Sequence, residues 1–315
     1  MSITFNKYSS IENSYREKYI EIIRFAGLSN VKWHISEKID GANFQFICDG
    51  AEVKVASRNN LVGGTFFGCQ AVIDKHADKM MLLKNEFYPE AEQIAVYGEL
   101  YGPGIQKRVN YGPDKGFAAF DLQVDGVPAD LDVMVTMLAT VEIPLVPSMG
   151  VFDTLDLALA FTNDFDSRLF LVKDEESGMM MPVEGNITEG SVLQPLKTTY
   201  TDTGSRVLIK NKNDKFSEKI PRKDRPPRAE NPMVGLVIPY INENRMLSVI
   251  SKEGELTPKD FGRIIKLMGA DVLTDMIADG ELPENWKTID ELKPVGKAVA
   301  STVAAFLKQN LLPRL

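Results

Sequence analysis

The chain has 315 residues, 44% hydrophobic and 25% charged, with a formal net charge of −8. That length allows about two domains, and the composition is that of a globular protein rather than a disordered or fibrous one. No run reaches the ~18 apolar residues of a membrane span. Two cysteines, Cys48 and Cys69, are too few for a disulfide framework and read as reduced core residues.

In chain order, "SSIENSYREKYIEIIRFAGL" places Ile11, Tyr15, Tyr19, Ile22 and Ile23 at helical spacing behind a serine cap. Short, partly alternating strands follow in "VKWHISEK", "NFQFIC" and "EVKVASR", with turn signals at "DGAN" and "DGAE". Residues 68–86 read as helix, "QIAVYGEL" and "KGFAAFDLQV" as strands, 130–142 and 154–163 as helices. "GSVLQPL" and "SRVLIKNK" read as strands again. Hairpins with interspersed helices predict an α+β fold rather than an alternating βαβ fold. After the Pro- and charge-rich "IPRKDRPPRAENP" the pattern turns helical, bounded or kinked at Pro239 and Pro294. A domain of residues 1–228 and a smaller all-helical domain of 229–315 are expected.

The charge is uneven. Ser205 to Arg228 holds nine Lys/Arg against three Asp/Glu, a net +6 that leaves −14 on the rest. Such a window suits a polyanion. The histidines His34 and His76 cluster with no cysteine, which argues against zinc, and no G-x-S-x-G elbow is present. The N-terminus lacks the basic start and apolar centre of a signal peptide, so a cytoplasmic protein is expected.

The chemistry-bearing stretch is "SEKIDGANF". Lys38 lies two residues before Asp40 and three before Gly41. A lysine amine of pKa ~10.4 is unprotonated in only about one molecule in 2,500 at pH 7. A nucleophilic lysine therefore needs nearby positive charge or a dry pocket. The plain alternative is a solvated strand lysine. Further along, "YGELYGPG" puts Glu99 at a strand end, "FAAFDL" offers Phe120, and "EGSVL" adds Glu189. "LIKNK" sets Lys210 and Lys212 on one strand face.

In this order the segments resemble the nucleotidyltransferase superfamily of ATP-dependent polynucleotide ligases and mRNA capping enzymes. "KYSSIENSY", "GPGIQK", "KNDKFSEK", "ISKEGEL" and "PKDFG" are similar to the bacteriophage RNA ligase 2 family, which seals nicks in double-stranded RNA. The resemblance runs from Phe5 to about Gly262. It implies an ATP-grasp-like adenylation domain of antiparallel sheets and helices, followed by the helical domain. It also implies ATP and Mg²⁺ or Mn²⁺ as cofactors, nicked duplex RNA as partner and, for a phage-encoded protein, the host cytoplasm; nothing in the sequence requires more than a monomer.

Residue by residue, the resemblance implies that Lys38 takes AMP. Glu37 and Ile39 would lie beside the adenine, with Asn43 and Arg58 at the ribose and phosphate. Glu99 would bind a ribose hydroxyl, and Phe120 and Val192 would sandwich the base. Glu189 would hold the metal through water, and Lys210 and Lys212 would grip phosphates. Phe66 and Phe67, and the basic window with Arg222 and Lys223, would meet RNA; core packing is the alternative for the phenylalanines. The chain departs from the family pattern at Asp40 (histidine in one RNA ligase 2), Ala42 (a hydroxyl residue) and Gln194 (often lysine). A DNA ligase or a capping-type guanylyltransferase shares the lysine chemistry, but both carry a β-rich OB domain where this chain reads as helical. A catalytically silent RNA-binding homologue is the third reading.

Overall fold

Period-two alternation gives each of the two large sheets of the first 213 residues one face on its own core. The computed structural model describes residues 3–220 and 231–315, in two compact units, Met1–Asn213 and Asp214–Leu315. The first unit begins with β1 (Glu12–Asn13), α1 (Glu17–Phe25), β2 (Trp33–Lys38), β3 (Ala42–Cys48), β4 (Val53–Ser57) and β5 (Leu61–Val62). It continues with α2 (Gln70–Leu82), β6 (Ile94–Tyr101), β7 (Gly116–Val124), β8 (Val127–Pro128) and α3 (Leu131–Thr140). Then come β9 (Ser148–Phe152), α4 (Leu155–Leu159), β10 (Leu171–Lys173), β11 (Met180–Pro182), β12 (Gly190–Pro195) and β13 (Ile209–Lys212).

One sheet has the order β1-β13-β12-β2-β9, the other β5-β4-β3-β6-β7-β8, and β10 and β11 form a separate hairpin. All pairings are antiparallel except β1 with β13. This is the α+β architecture expected from the sequence.

In the first sheet Trp33, Ile35, Leu193 and Ile209 pack on Ile20 and Ile23 of α1 and on Leu155 and Ala158 of α4. In the second, Phe44, Phe46, Val96, Leu100, Phe117 and Leu122 pack on α2 and α3. The opposite faces of the two sheets meet through Leu208, Ile47, Ala56, Ala95 and Tyr97, and the N-terminal Ile3 and Tyr8 seal that end. Arg206 crosses from just before β13 to a buried ion pair with Asp121 of β7.

Several elements differ from the sequence expectation. The first helix begins at Glu17, because Glu12 and Asn13 pair with Ile209 and Lys210 instead. It buries Ile20 and Ile23, while Tyr15 and Ile22 stay exposed. The hairpin 171–182 and strand β9 were not expected. The helical unit contains α5 (Pro232–Val237), α6 (Glu243–Ile250), α7 (Phe261–Ala278) and α8 (Pro294–Asn310). Pro239 lies in the turn after α5, and Pro294 opens α8.

Residues 214–220 belong to the second compact unit and pack on its helices. Asn242 and Asn244 donate to the Ser217 carbonyl, and Lys219 pairs with Asp279. Glu218, Asp271 and Asp275 approach one another closely enough to suggest a cation. The fully buried Arg245 already pairs with both aspartates there.

His76 is 2% exposed, between Phe46 and Phe117, with Nδ1 unpartnered. Burial, helped by Lys75 and Lys79, lowers its pKa to about 4. The unfolded chain takes up this proton near pH 6.5, the folded one only near 4. Its stabilising contribution is thus complete above pH 6.5 and lost as pH falls toward 4, by about 2–3 kcal/mol. Denaturant titration at pH 7 and 4.5 should show wild type losing about 2 kcal/mol more than His76→Phe.

Candidate active site

Alternation along the strands decides which side chains line the cleft between the sheets. In β2, Trp33 and Ile35 enter the core, so His34, Ser36 and Lys38 face the other way. In β12 and β13, Leu193 and Ile209 enter the same core, which turns Val192, Lys210 and Lys212 to the cleft. Register sets Gly190 beside both Lys38 and Lys212, and Val192 beside Lys210. Across the cleft, Ala42, Phe44 and Phe46 enter the second core, so Asn43 and Gln45 face inward, as does Glu99, the register partner of Asn43. Arg58, half-buried just past β4, falls on the side of Ala56.

Phe120 reaches the cleft by the same alternation, opposite Phe117 and Ala119 of the second core. Tyr97 pairs with Asp121 and Gly98 with Ala119, so Phe120 is the extra residue of a β-bulge. The bulge lets Leu122 return to the second core, while the Phe120 ring lies edge-on to Tyr8 at 5.1 Å between centroids.

The centre is Glu189, the residue before β12. Its Oε2 accepts from Lys38 Nζ at 2.6 Å, and its Oε1 pairs with Lys212 Nζ at 2.9 Å. Burial alone would raise this carboxyl, but the two ammonium groups outweigh it and hold the pKa at about 2. Glu99 behaves oppositely. Burial raises its pKa to about 8, with the charges of Glu189 and Asp40 adding to the effect and Lys38 opposing it. One carboxylate is thus held ionised and the other held neutral at pH 7.

The turn after Lys38 is clamped. Arg108 binds Asp40 bidentately, through Nε at 2.9 Å and through Nη2, and the Asp40 N–H donates to Tyr111 Oη at 2.7 Å. Burial, with the Glu189 charge, still raises the Asp40 carboxyl above its usual range. Gly41 is required: a Cβ there would lie 2.3 Å from the Leu100 carbonyl.

Glu37 points away from Lys38. Its buried carboxylate accepts from Ser167 Oγ at 2.6 Å, Arg168 N–H at 2.8 Å and Thr188 Oγ1 at 3.3 Å. Its side chain is therefore engaged within the protein, and only its backbone borders the cleft. Ile39 is buried at 3% exposure.

The structure thus brings Lys38, Asn43, Glu99, Phe120, Glu189, Val192, Lys210 and Lys212 onto two facing surfaces. It places Phe66 and Phe67 in the core, 7% and 4% exposed, with Phe66 stacked on Phe44. Arg222 and Lys223 lie outside the described residues. Of the described residues of the basic window, Arg206 is buried on Asp121, Lys210 and Lys212 line the cleft, and Lys219 pairs with Asp279. Arg108, Tyr111, Ser167 and Thr188 were missed by the sequence reading, because each acts across 71 or more residues, or 68 for Arg108.

Three buried polar atoms on the cleft faces lack a hydrogen-bond partner: His34 Nδ1, Asn43 Oδ1 and Gln45 Oε1. Native structures rarely leave such groups unsatisfied, so the cleft has the character of a polar-ligand site. An ionised carboxylate with two ammonium neighbours also suits a hydrated cation beside a polyphosphate.

The RNA ligase family model matches residues 31–212, and that of the T4 RNA ligase 2 C-terminal region matches residues 224–305. Among solved structures, a Naegleria gruberi RNA ligase mutant with AMP and Mn has a TM-score of 0.50 at 16% identity, over 67% of this chain and 57% of that one. A mutant of that ligase with ATP and Mn gives 0.48 at 16% identity, over 69% and 57%. The ligase with PPi gives 0.49 at 16% identity, over 67% and 57%. The matched part spans little more than half of those ligases, and the first similarity shows a shared nucleotidyltransferase fold. The chain belongs to the RNA ligase family, with a C-terminal region of the T4 RNA ligase 2 type.

Proposed function

We propose that this protein is an ATP-dependent RNA ligase that seals 3′-OH/5′-phosphate nicks in duplex RNA. The observation that carries the reading is Glu189 held between Lys38 and Lys212. In the first step Lys38 Nζ, having given up a proton, attacks the α-phosphorus of ATP. A P–N bond forms and the bond to pyrophosphate breaks. AMP then passes to the 5′-phosphate of the RNA, and the 3′-OH attacks that activated phosphate and releases AMP.

Phosphoryl transfer of this kind depends on positioning and on neutralising charge. Lys210 and Lys212 supply fixed positive charge from one strand face. Val192 and the bulged Phe120 offer apolar faces to the base. Glu99 and Asn43, paired in register, offer hydrogen bonds to the ribose. Glu189 would hold a divalent cation, Mg²⁺ or Mn²⁺, through water, and that ion would add charge neutralisation on the phosphates. The second unit shows no strand among its described residues, which disfavours the capping and DNA ligase readings with their OB domains.

Sealing of nicked duplexes with RNA or DNA on the 3′-OH side tests the assignment. RNA ends should be joined at least about tenfold faster, since the 2′-OH and A-form shape distinguish them. Lys38→Ala should lose sealing by ~10³-fold or more. Equal rates on an all-DNA nick would overturn the RNA assignment.

Glu99 gives a pH test. Its carboxyl should titrate near pH 8 by ¹³C NMR in the nucleotide-free protein. Glu189→Gln should move that titration lower, because it removes a neighbouring negative charge. A Glu99 titration near 4.5 in wild type would contradict this electrostatic account.

A further inference from the structure

The pairing of β2 with β12 ends at Lys38 and Gly190, the last residue of one strand and the first of the other. Glu189 and the Asp40–Gly41 turn lie just past that ladder, so strand pairing alone does not hold them together. One direct tie is the Thr188 hydroxyl, which donates to the Lys38 carbonyl at 3.2 Å. Further support comes from the other sheet, through the loop joining β6 to β7.

Residues 108–111 of that loop reach both sides of the gap. Arg108 binds Asp40 bidentately and Tyr111 Oη accepts from the Asp40 N–H at 2.7 Å, two residues after Lys38. Between these two contacts, Asn110 is joined twice to Asn186, three residues before Glu189. The Asn110 N–H donates to Asn186 Oδ1 at 2.8 Å, and Asn186 Nδ2 donates to the Asn110 carbonyl at 2.8 Å. Asn186 is buried, and both ends of its amide are taken up by Asn110, so this side chain serves the protein rather than a ligand. Val109 is buried between the anchors, and the buried Tyr111 ring packs edge-on to Tyr101 at 5.4 Å between centroids.

We propose that Arg108, Asn110, Tyr111 and Asn186 form one bracket that positions the Lys38 amine against Glu189 for the attack on ATP. This rests on the ligase reading above. The bracket acts through Asp40 on one side and through the segment leading to Glu189 on the other, so its members are positioning residues. In-line attack tolerates little displacement, and a shift of about 1 Å can cost ~100-fold in rate. Binding of ATP in that reading falls to other side chains, on β7, β12 and β13. Loosening the bracket therefore slows the chemical step and spares affinity for the nucleotide.

The test is single-turnover self-adenylation from α-labelled ATP over a range of ATP concentrations, on the full chain. Wild type is compared with Asn186→Ala, Arg108→Gln, Arg108→Lys and the double variant Arg108→Gln/Asn186→Ala. Asn186→Ala leaves no buried charge unpaired and frees only backbone groups of the exposed Asn110, so the fold should survive. Its maximal rate should fall about 3- to 10-fold, with half-saturating ATP within about twofold of wild type. Arg108→Gln should lose roughly 10- to 100-fold in maximal rate. Arg108→Lys should recover part of that, since it keeps the charge but not the two-pronged fit. Because the contacts act as one unit, the double variant should be slowed by less than the product of the single effects. An unchanged maximal rate in Asn186→Ala would overturn the proposal, whatever Arg108→Gln does. So would raised half-saturation at an unchanged rate, which would assign these residues to nucleotide binding, or effects that multiply, which would mean two separate clamps. A wild type that takes no label overturns the ligase reading itself, a failure distinct from these.

Discussion

The arrangement of the candidate site depends on one carboxylate shared by two ammonium groups. Glu189 has 6% of its side chain exposed, and Lys38 and Lys212 have 20% and 15%. A buried carboxylate without partners is strongly disfavoured, and removing one partner of a buried pair typically costs about 3–5 kcal/mol. The two lysines therefore hold Glu189 ionised, and Glu189 in turn fixes where both amines lie. The pairing needs three adjacent strands in one register: β2, β12 and β13. Gly190, beside both lysine positions, permits this closeness, since a Cβ there would meet the Asn211 carbonyl at 2.1 Å.

The facing sheet answers this charge with groups that are neutral or already satisfied. Glu99 keeps its proton at pH 7, and Asp40 is matched by Arg108. Three carboxyl groups can gather around Lys38 because only one of them is left to the lysines. The same rule holds deeper in the unit, where Asp121 is matched by Arg206, and in the helical unit, where Arg245 is matched by Asp271 and Asp275.

Much of this was legible in the sequence, for local reasons. Lys210 and Lys212 share a face by period two, and Glu99 stands before a glycine turn that ends its strand. The helical character of the C-terminal part follows from 3.6-residue spacing. What was not legible depends on contacts between distant segments. The bulge at Phe120 appears only when β6 is laid beside β7. The Asp40–Arg108 pair and the Glu37 contacts span 68 and 130 or more residues. The pairing of Arg206 and Lys219 was hidden for the same reason: net charge is a sum over one stretch, while these two find their acids elsewhere in the chain. The attachment of 214–220 to the helical unit is of the same kind, with the Lys215 and Ser217 carbonyls accepting from Asn242 and Asn244.

The central claim is that the amine held by Glu189 is the nucleophile. The most direct measurement is peptide mapping by mass spectrometry after incubating the protein with ATP and Mg²⁺. The account predicts a single AMP, attached to the peptide containing Lys38 and located on that side chain. Protein that is folded and nucleotide-free at the start, yet carries no AMP or carries it on another residue, would contradict it.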